Sequence, residues 1–217
     1  MKASTIVRTL QLIRRQVELC SIPSVTKVSR KKDPYLVLIS CILSLRTKDK
    51  TTYDAAERLF KVADNPKKMR MLSAALIEKL IYPVGFYRTK ARVILGISKK
   101  IISEFSRQVP RTREQLLQFK GVGLKTANLV LGLGYAIPAI CVDTHVHRIS
   151  NRLGWVKTKT PEKTESALMR IIPKKYWIGL NAILVTFGQN LCEPISPFCS
   201  KCAVSSLCSR IGVHRSR

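Results

Sequence analysis

Residues 115–154 read QLLQFKGVGLKTANLVLGLGYAIPAICVDTHVHRISNRLG, and the fold turns on how this stretch bends. A helical pattern ends at Phe119-Lys120, Gly121-Val122-Gly123 makes a tight turn, and Leu124 opens a second helix. Glycines suit successive sharp turns whose backbone must stay uncovered. Such a turn aims amide N–H groups outward, beside those of the next helix's first residues and in the field of its positive end. The product is a socket for a phosphate oxygen. Phosphates carry no base information, so a helix–hairpin–helix of this kind holds nucleic acid without regard to sequence. The plainer alternative is a joint between two helices with glycine for geometry alone.

Charge argues against the plainer alternative. The 217 residues carry 39 Lys and Arg against 13 Asp and Glu, a net charge of +26. So one-sided a balance opposes compaction by self-repulsion and calls for an anionic partner. Basic groups that face phosphates release counterions on binding, which makes nucleic acid the first candidate. With 46% hydrophobic residues the chain can still build the core of one domain or two small lobes. The N-terminal stretch is basic and amphipathic, but Ile6, Leu10, Ile13 and Val17 repeat at helical spacing and predict a packed helix rather than a transit segment. No apolar run approaches a membrane span. These features predict an intracellular protein of a reducing compartment, and no membrane partner.

Outward from the hairpin the pattern is helix after helix. Asp33-Pro34 opens PYLVLISCILSL, too continuously apolar for a surface helix and therefore central. Amphipathic helices follow over 48–62 and 74–81. Another starts at Thr89 with Ile94, Ile97, Ile101 and Phe105 in register, and Thr112 with Gln115 predicts a capped short helix ending near Lys120. Nothing alternates as a strand would. The predicted class is all-α.

Lys125 falls in the first turn of the second hairpin helix, where a cation is electrostatically misplaced. A neutral amine is a nucleophile and forms Schiff bases with sugar aldehydes. Asp143 stands eighteen residues later, before the helix THVHRISNRL. Singly, Lys125 reads as a phosphate contact and Asp143 as an N-cap.

The tail, CEPISPFCSKCAVSSLC, sets Cys192, Cys199, Cys202 and Cys208 apart by six, two and five residues. Disulfides, zinc and an iron–sulfur cluster all compete for such a set. A reducing compartment disfavours the first. A structural zinc prefers two short pairs, and only Cys199 and Cys202 form one. Outlying Cys192 and Cys208 suit a larger object whose irons take one sulfur each. Cys20, Cys41 and Cys141 sit singly in apolar surroundings and read as small hydrophobes.

Taken together, GVGLKTA, VDTHVHR and the cysteine spacing resemble the endonuclease III family of DNA glycosylases, over roughly residues 33–208. The resemblance implies two helical lobes with a DNA-binding cleft between them. One is a six-helix lobe over 27–137; the other joins 1–26 to 138–217. It implies Lys125 as nucleophile, Asp143 as its activator across that cleft, and a 4Fe-4S cluster on the four cysteines, acting as a staple for a basic loop with Lys201 between two ligands. The implied activity is removal of oxidised pyrimidines from duplex DNA, followed by abasic-site cleavage, by a monomer. The implied location is the cytoplasm, at the nucleoid of a prokaryote, or a eukaryote's nucleus. DNA contacts would come from Gly121, Val122 and Gly123, from Phe86 as a wedge and from Arg46. The family's Ser-x-Gln-x-x-Asp pattern reads here Ser44-Leu45-Arg46-Thr47-Lys48-Asp49, with arginine for glutamine, and Lys120 replaces a proline. His145 and His147 lack a third metal ligand and are expected to pack or hydrogen-bond. Two rivals are a monofunctional mismatch glycosylase, whose branches generally lack the lysine, and a non-catalytic, zinc-stapled DNA-binding module.

Overall fold

The computed structural model describes residues 3–217, and every regular element among them is helical. None of these helices is long and apolar enough to cross a membrane. The chain divides into two compact units, Ser24–Ile137 and a second that runs to Pro23 and resumes over Pro138–Arg217. Helix α1 (Ala3–Gln16) belongs to the second unit. The first holds α2 (Ser24–Ser29), α3 (Pro34–Ser44), α4 (Asp49–Val62), α5 (Pro66–Arg70), α6 (Ala74–Ile81), α7 (Tyr87–Glu104), α8 (Arg113–Leu116) and α9 (Leu124–Leu129). Helices α10 (Thr144–Arg152), α11 (Pro161–Ile171) and α12 (Trp177–Asn190) return to the second.

Helix α3 is the axis of its unit. Asp33 caps it by accepting from the amides of Tyr35 and Leu36 at 2.7 and 3.3 Å, and Pro34 supplies a preset φ at the first helical position. Every residue from Tyr35 to Leu43 is buried, which explains the unbroken apolar run: α2, α4, α7 and α9 all pack on it. Helix α7 begins at Tyr87, two residues before the expected Thr89, and buries Ile94, Ile97 and Ile101. Helix α8 is shorter than expected. Thr112 caps it, accepting from the Gln115 amide at 3.3 Å, but α-helix stops at Leu116 because the chain tightens into i→i−3 bonds, Gln118 to Gln115 and Phe119 to Leu116. Helix α9 also changes pitch, winding as a wider π-turn over Val130–Gly134.

In the other unit the predicted stripe of α1 is buried: Ile6, Leu10 and Ile13, with Val17 just beyond. These residues share one core with Ile149, Leu168, Leu184 and Phe187. Each such burial stabilises by about 1.5–3 kcal/mol, enough to hold a helix with no acidic residue in its first turn. Gln16 finishes the attachment, donating to the Lys201 carbonyl at 2.6 Å and accepting from the Ala203 amide at 3.0 Å.

Candidate functional site

The hairpin between α8 and α9 has one glycine that its geometry requires. Gly121 sits at φ +81°, left-handed, where a side chain would be strained. Gly123 is extended and N-caps α9, with open space where a Cβ would stand, so its value lies in the access it leaves. Val122 works from inside: its side chain is buried and its amide bonds to the Phe119 carbonyl at 3.1 Å. Lys125 is exposed on the first turn of α9. Beneath it in α3 lies Cys41, whose thiol burial pushes up to about 12 while the Lys125 charge pulls the other way. A thiol so held is an inert packing group.

Asp143 belongs to the second unit. Its carboxylate accepts from the amides of His145 and Val146 at 3.0 and 2.9 Å, the N-cap of α10. The same helix projects His147 to the Thr164 hydroxyl at 2.7 Å and pairs His145 with Arg148 at 3.2 Å.

Within the Ser24–Ile137 unit, Arg46 and Phe86 meet. Both are exposed, and the Arg46 guanidinium stands 5.6 Å over the Phe86 ring. Both take left-handed backbone, φ +51° and +59°, a conformation that costs a non-glycine residue roughly 1–2 kcal/mol. Phe86 is 62% exposed. A Cβ at Gly85 would lie 2.6 Å from the Arg46 carbonyl oxygen; only glycine lets the two turns approach this closely.

Cys192, Cys199, Cys202 and Cys208 line a single cavity with Leu153, Phe187 and Val204. All are free thiols. Among the described residues no three His, Cys, Asp or Glu side chains are gathered tightly enough to hold one metal ion. Burial raises the Cys202 and Cys208 thiols, and the other cysteines' charges raise both further. Thiolates at Cys202 and Cys208 need a cationic partner to stay charged. The donor set, four cysteines on one cavity, fits a thiolate-held metal group. Hydrogen bonds already reach the sulfurs, from Arg152 to Cys192 at 3.5 Å and from the Arg210 amide to Cys208 at 3.4 Å.

Residues 39–174 match the family model described as the HhH-GPD superfamily base excision DNA repair protein. The endonuclease III of Thermotoga maritima is 45% identical over 179 residues, 82% of this chain and 84% of that one. The chain belongs to the endonuclease III family. The chloroplastic endonuclease III homolog 2 of Arabidopsis thaliana is 42% identical over 82% of this chain, which spans 48% of that longer protein. A solved structure of a trapped endonuclease III–DNA covalent intermediate, an estranged-adenine complex, superposes with a TM-score of 0.83 at 30% identity, covering 97% of each chain.

Sequence reasoning overlooked two sets of residues in this endonuclease III family member. Arg148 and Arg152 look like solvent-facing cations of α10, yet Arg152 is buried and donates to the carbonyls of Glu193 and Pro194, each at 2.6 Å, while Arg148 donates to the Cys192 carbonyl at 2.8 Å. They anchor the chain that enters the cysteine loop. The other oversight is Lys90, in α7. Its ammonium is buried and donates to the Leu43 carbonyl at 2.8 Å, to the Leu45 carbonyl and to the Thr47 hydroxyl at 3.1 Å. Burial pulls its pKa down to about 8, while three acceptors and the negative end of α3 favour the charged form. A lysine whose acceptors lie more than forty residues away leaves no local signal.

Proposed function

We propose that this protein is a bifunctional base-excision-repair glycosylase and abasic-site lyase acting on oxidised pyrimidines in duplex DNA. One observation carries the reading: the family's hairpin bears an exposed Lys125 on the first turn of its second helix. Support comes from the covalent endonuclease III–DNA intermediate trapped in the similar solved structure, since a covalent bond to DNA requires a nucleophile on the protein.

The target nucleotide leaves the stack, because its C1′ is shielded inside the duplex. The hairpin holds a phosphate through backbone amides while Lys120 and the general basic charge supply counterion release. The Lys125 amine attacks C1′; an N–C1′ bond forms, the C1′–N bond to the base breaks, and the base leaves with a proton. The sugar opens to a Schiff base. Loss of a C2′ proton then breaks the C3′–O bond, so the 3′ phosphate departs by β-elimination, and water later frees the lysine. Asp143 carries the negative charge that offsets the cation developing on the sugar. Cys192, Cys199, Cys202 and Cys208 would hold a 4Fe-4S cluster, which when bound staples the loop carrying Lys201. A monomer is sufficient for this chemistry, and the reading places the protein with the cell's DNA, in the cytoplasm or nucleus.

Borohydride trapping on abasic-site duplex is the direct test. A covalent protein–DNA adduct is expected. A monofunctional glycosylase would free the base without an adduct, and a binding module would do neither.

Phe86 enters the duplex as a wedge, and Arg46 occupies the gap left by the flipped nucleotide and meets the orphaned base. Their adjacency, 5.6 Å from guanidinium to ring, supports a joint role. Arginine has only donors, so it favours guanine, with its O6 acceptor, over adenine. Arg46→Gln is expected to lower excision opposite guanine by about 10-fold or more and to change excision opposite adenine little, since one such contact discriminates by about 1–3 kcal/mol. The check is a single-turnover comparison of one oxidised pyrimidine opposite each base. Equal loss opposite both, with a shallower salt dependence, would make Arg46 a phosphate contact instead.

A further inference from the structure

Lys90 has no part in the chemistry just described, yet few side chains in this unit are so heavily engaged. It is 6% exposed and gives its ammonium to three acceptors, two of them carbonyls at the C-terminal end of α3. Helix ends leave such carbonyls unpaired and carry partial negative charge, so a cation is well matched there. The third acceptor, the Thr47 hydroxyl, also accepts from the Gly85 amide at 3.2 Å. Lys90 itself stands one turn into α7, its amide bonded to the Phe86 carbonyl at 3.0 Å. A single ammonium therefore ties the turn that carries Arg46 to the turn that carries Phe86. Both of those residues hold a left-handed backbone, which persists only when the surroundings over-determine it.

We propose that Lys90 is a positioning residue that fixes the Arg46 and Phe86 turns against each other, so that the pair enters the duplex as one preformed element. This rests on the reading of Arg46 and Phe86 as the residues that probe the duplex. Held apart from DNA by Lys90, the two need no rearrangement on binding, and the conformational penalty of the left-handed turns is met in the free protein. Without Lys90 the Leu43 carbonyl loses the ammonium, the Leu45 carbonyl keeps only the Thr47 hydroxyl at 3.2 Å, and the guanidinium and ring lose the tie that joins their turns.

A double-mutant cycle separates this role from general stability. Lys90→Met keeps an unbranched side chain, one atom shorter, and removes its donors. In the otherwise native protein it is expected to slow single-turnover excision on lesion-containing duplex by about 30-fold, the scale of a misplaced contact remote from the chemistry. In the Arg46→Gln/Phe86→Ala background, where there is nothing left to position, the same change is expected to slow excision by less than about threefold. Equal factors in both backgrounds would overturn the proposal, since a residue that only holds the fold together acts regardless of what it carries. Should Lys90→Met not fold, Thr47→Val completes the same cycle, deleting the hydroxyl that accepts from Lys90 and Gly85 and donates to the Leu45 carbonyl at 3.2 Å. Its expected effect is about fivefold in the native background and none in the doubly substituted one, and additivity there overturns the proposal equally. If the native protein forms no borohydride adduct, the lyase reading has failed. If it forms the adduct and the cycle is additive, only the role of Lys90 has.

Discussion

Lys125→Gln loses borohydride-dependent trapping on abasic-site DNA by roughly three orders of magnitude or more, the scale seen when a covalent nucleophile is removed. Duplex affinity is expected to stay within about threefold, because one phosphate-range charge is lost while the hairpin's backbone amides are untouched. Glutamine is close to lysine in length and helix propensity, and position 125 is exposed, so the fold has no reason to change. Gel-resolved adducts and a filter-binding isotherm measure the two quantities separately. Undiminished trapping would place the nucleophile elsewhere in the chain. Asp143→Asn is the companion. Asparagine N-caps as well as aspartate, so α10 keeps its two capping bonds and the melting temperature should hold, while loss of the negative charge lowers trapping by about 10²-fold or more. Melting that drops while trapping persists would reduce Asp143 to a cap.

The second large effect is in the tail. Protein purified without oxygen from an iron-replete host is expected to contain about four irons and four acid-labile sulfides per chain, as one cubane cluster on four cysteines requires. Stoichiometric zinc without sulfide would replace the cluster with a single-ion site. Cys199→Ser should lose iron and sulfide together and lower the melting temperature by on the order of 10 °C, given that each kcal/mol moves a chain of this size by about 2–4 °C and that metal binding and local folding are coupled. The loss is structural because these cysteines line a cavity shared with Leu153, Phe187 and Val204 of the core. Iron loss with unchanged melting would show that the loop stands without its staple.

How much of this was legible in the residues depended on the range of the interaction. The unbroken apolar run of α3 announced burial on every side, and Asp33-Pro34 announced its start, because caps act within one turn. The stripe Ile6, Leu10, Ile13 of α1 could be read for the same reason. The hairpin turn at Gly121 and the N-cap at Asp143 could be read because such features concentrate in a few adjacent positions. What stayed hidden was long-range. Lys90 lies among Arg88, Arg92 and other basic residues of α7, and nothing nearby distinguishes the one lysine that turns inward to reach the end of α3. Arg152 hides similarly, its carbonyl partners forty-one and forty-two residues on. Backbone conformation was hidden too: neither Arg46 nor Phe86 is a residue type that advertises a left-handed turn, and the π-turn after α9 depends on pitch, which periodicity over five residues cannot resolve.

The attachment of α1 has a consequence for how the chain is made. Its buried stripe shares a core with residues of α10, α11 and α12, and Gln16 bonds to Lys201 and Ala203 across 185 and 187 residues of sequence. On a ribosome, therefore, α1 emerges well before the residues it packs on and is among the last of these helices to find its place. The Ser24–Ile137 unit, contiguous in sequence, is free to close while α1 waits with an uncovered apolar face. Closure of the other unit must follow synthesis of the cysteine loop itself, so burial of α1 waits until the residues of that loop have been made. Until then the nascent product carries a finished Ser24–Ile137 unit and an α1 whose apolar stripe is still sticky, a natural client for chaperones.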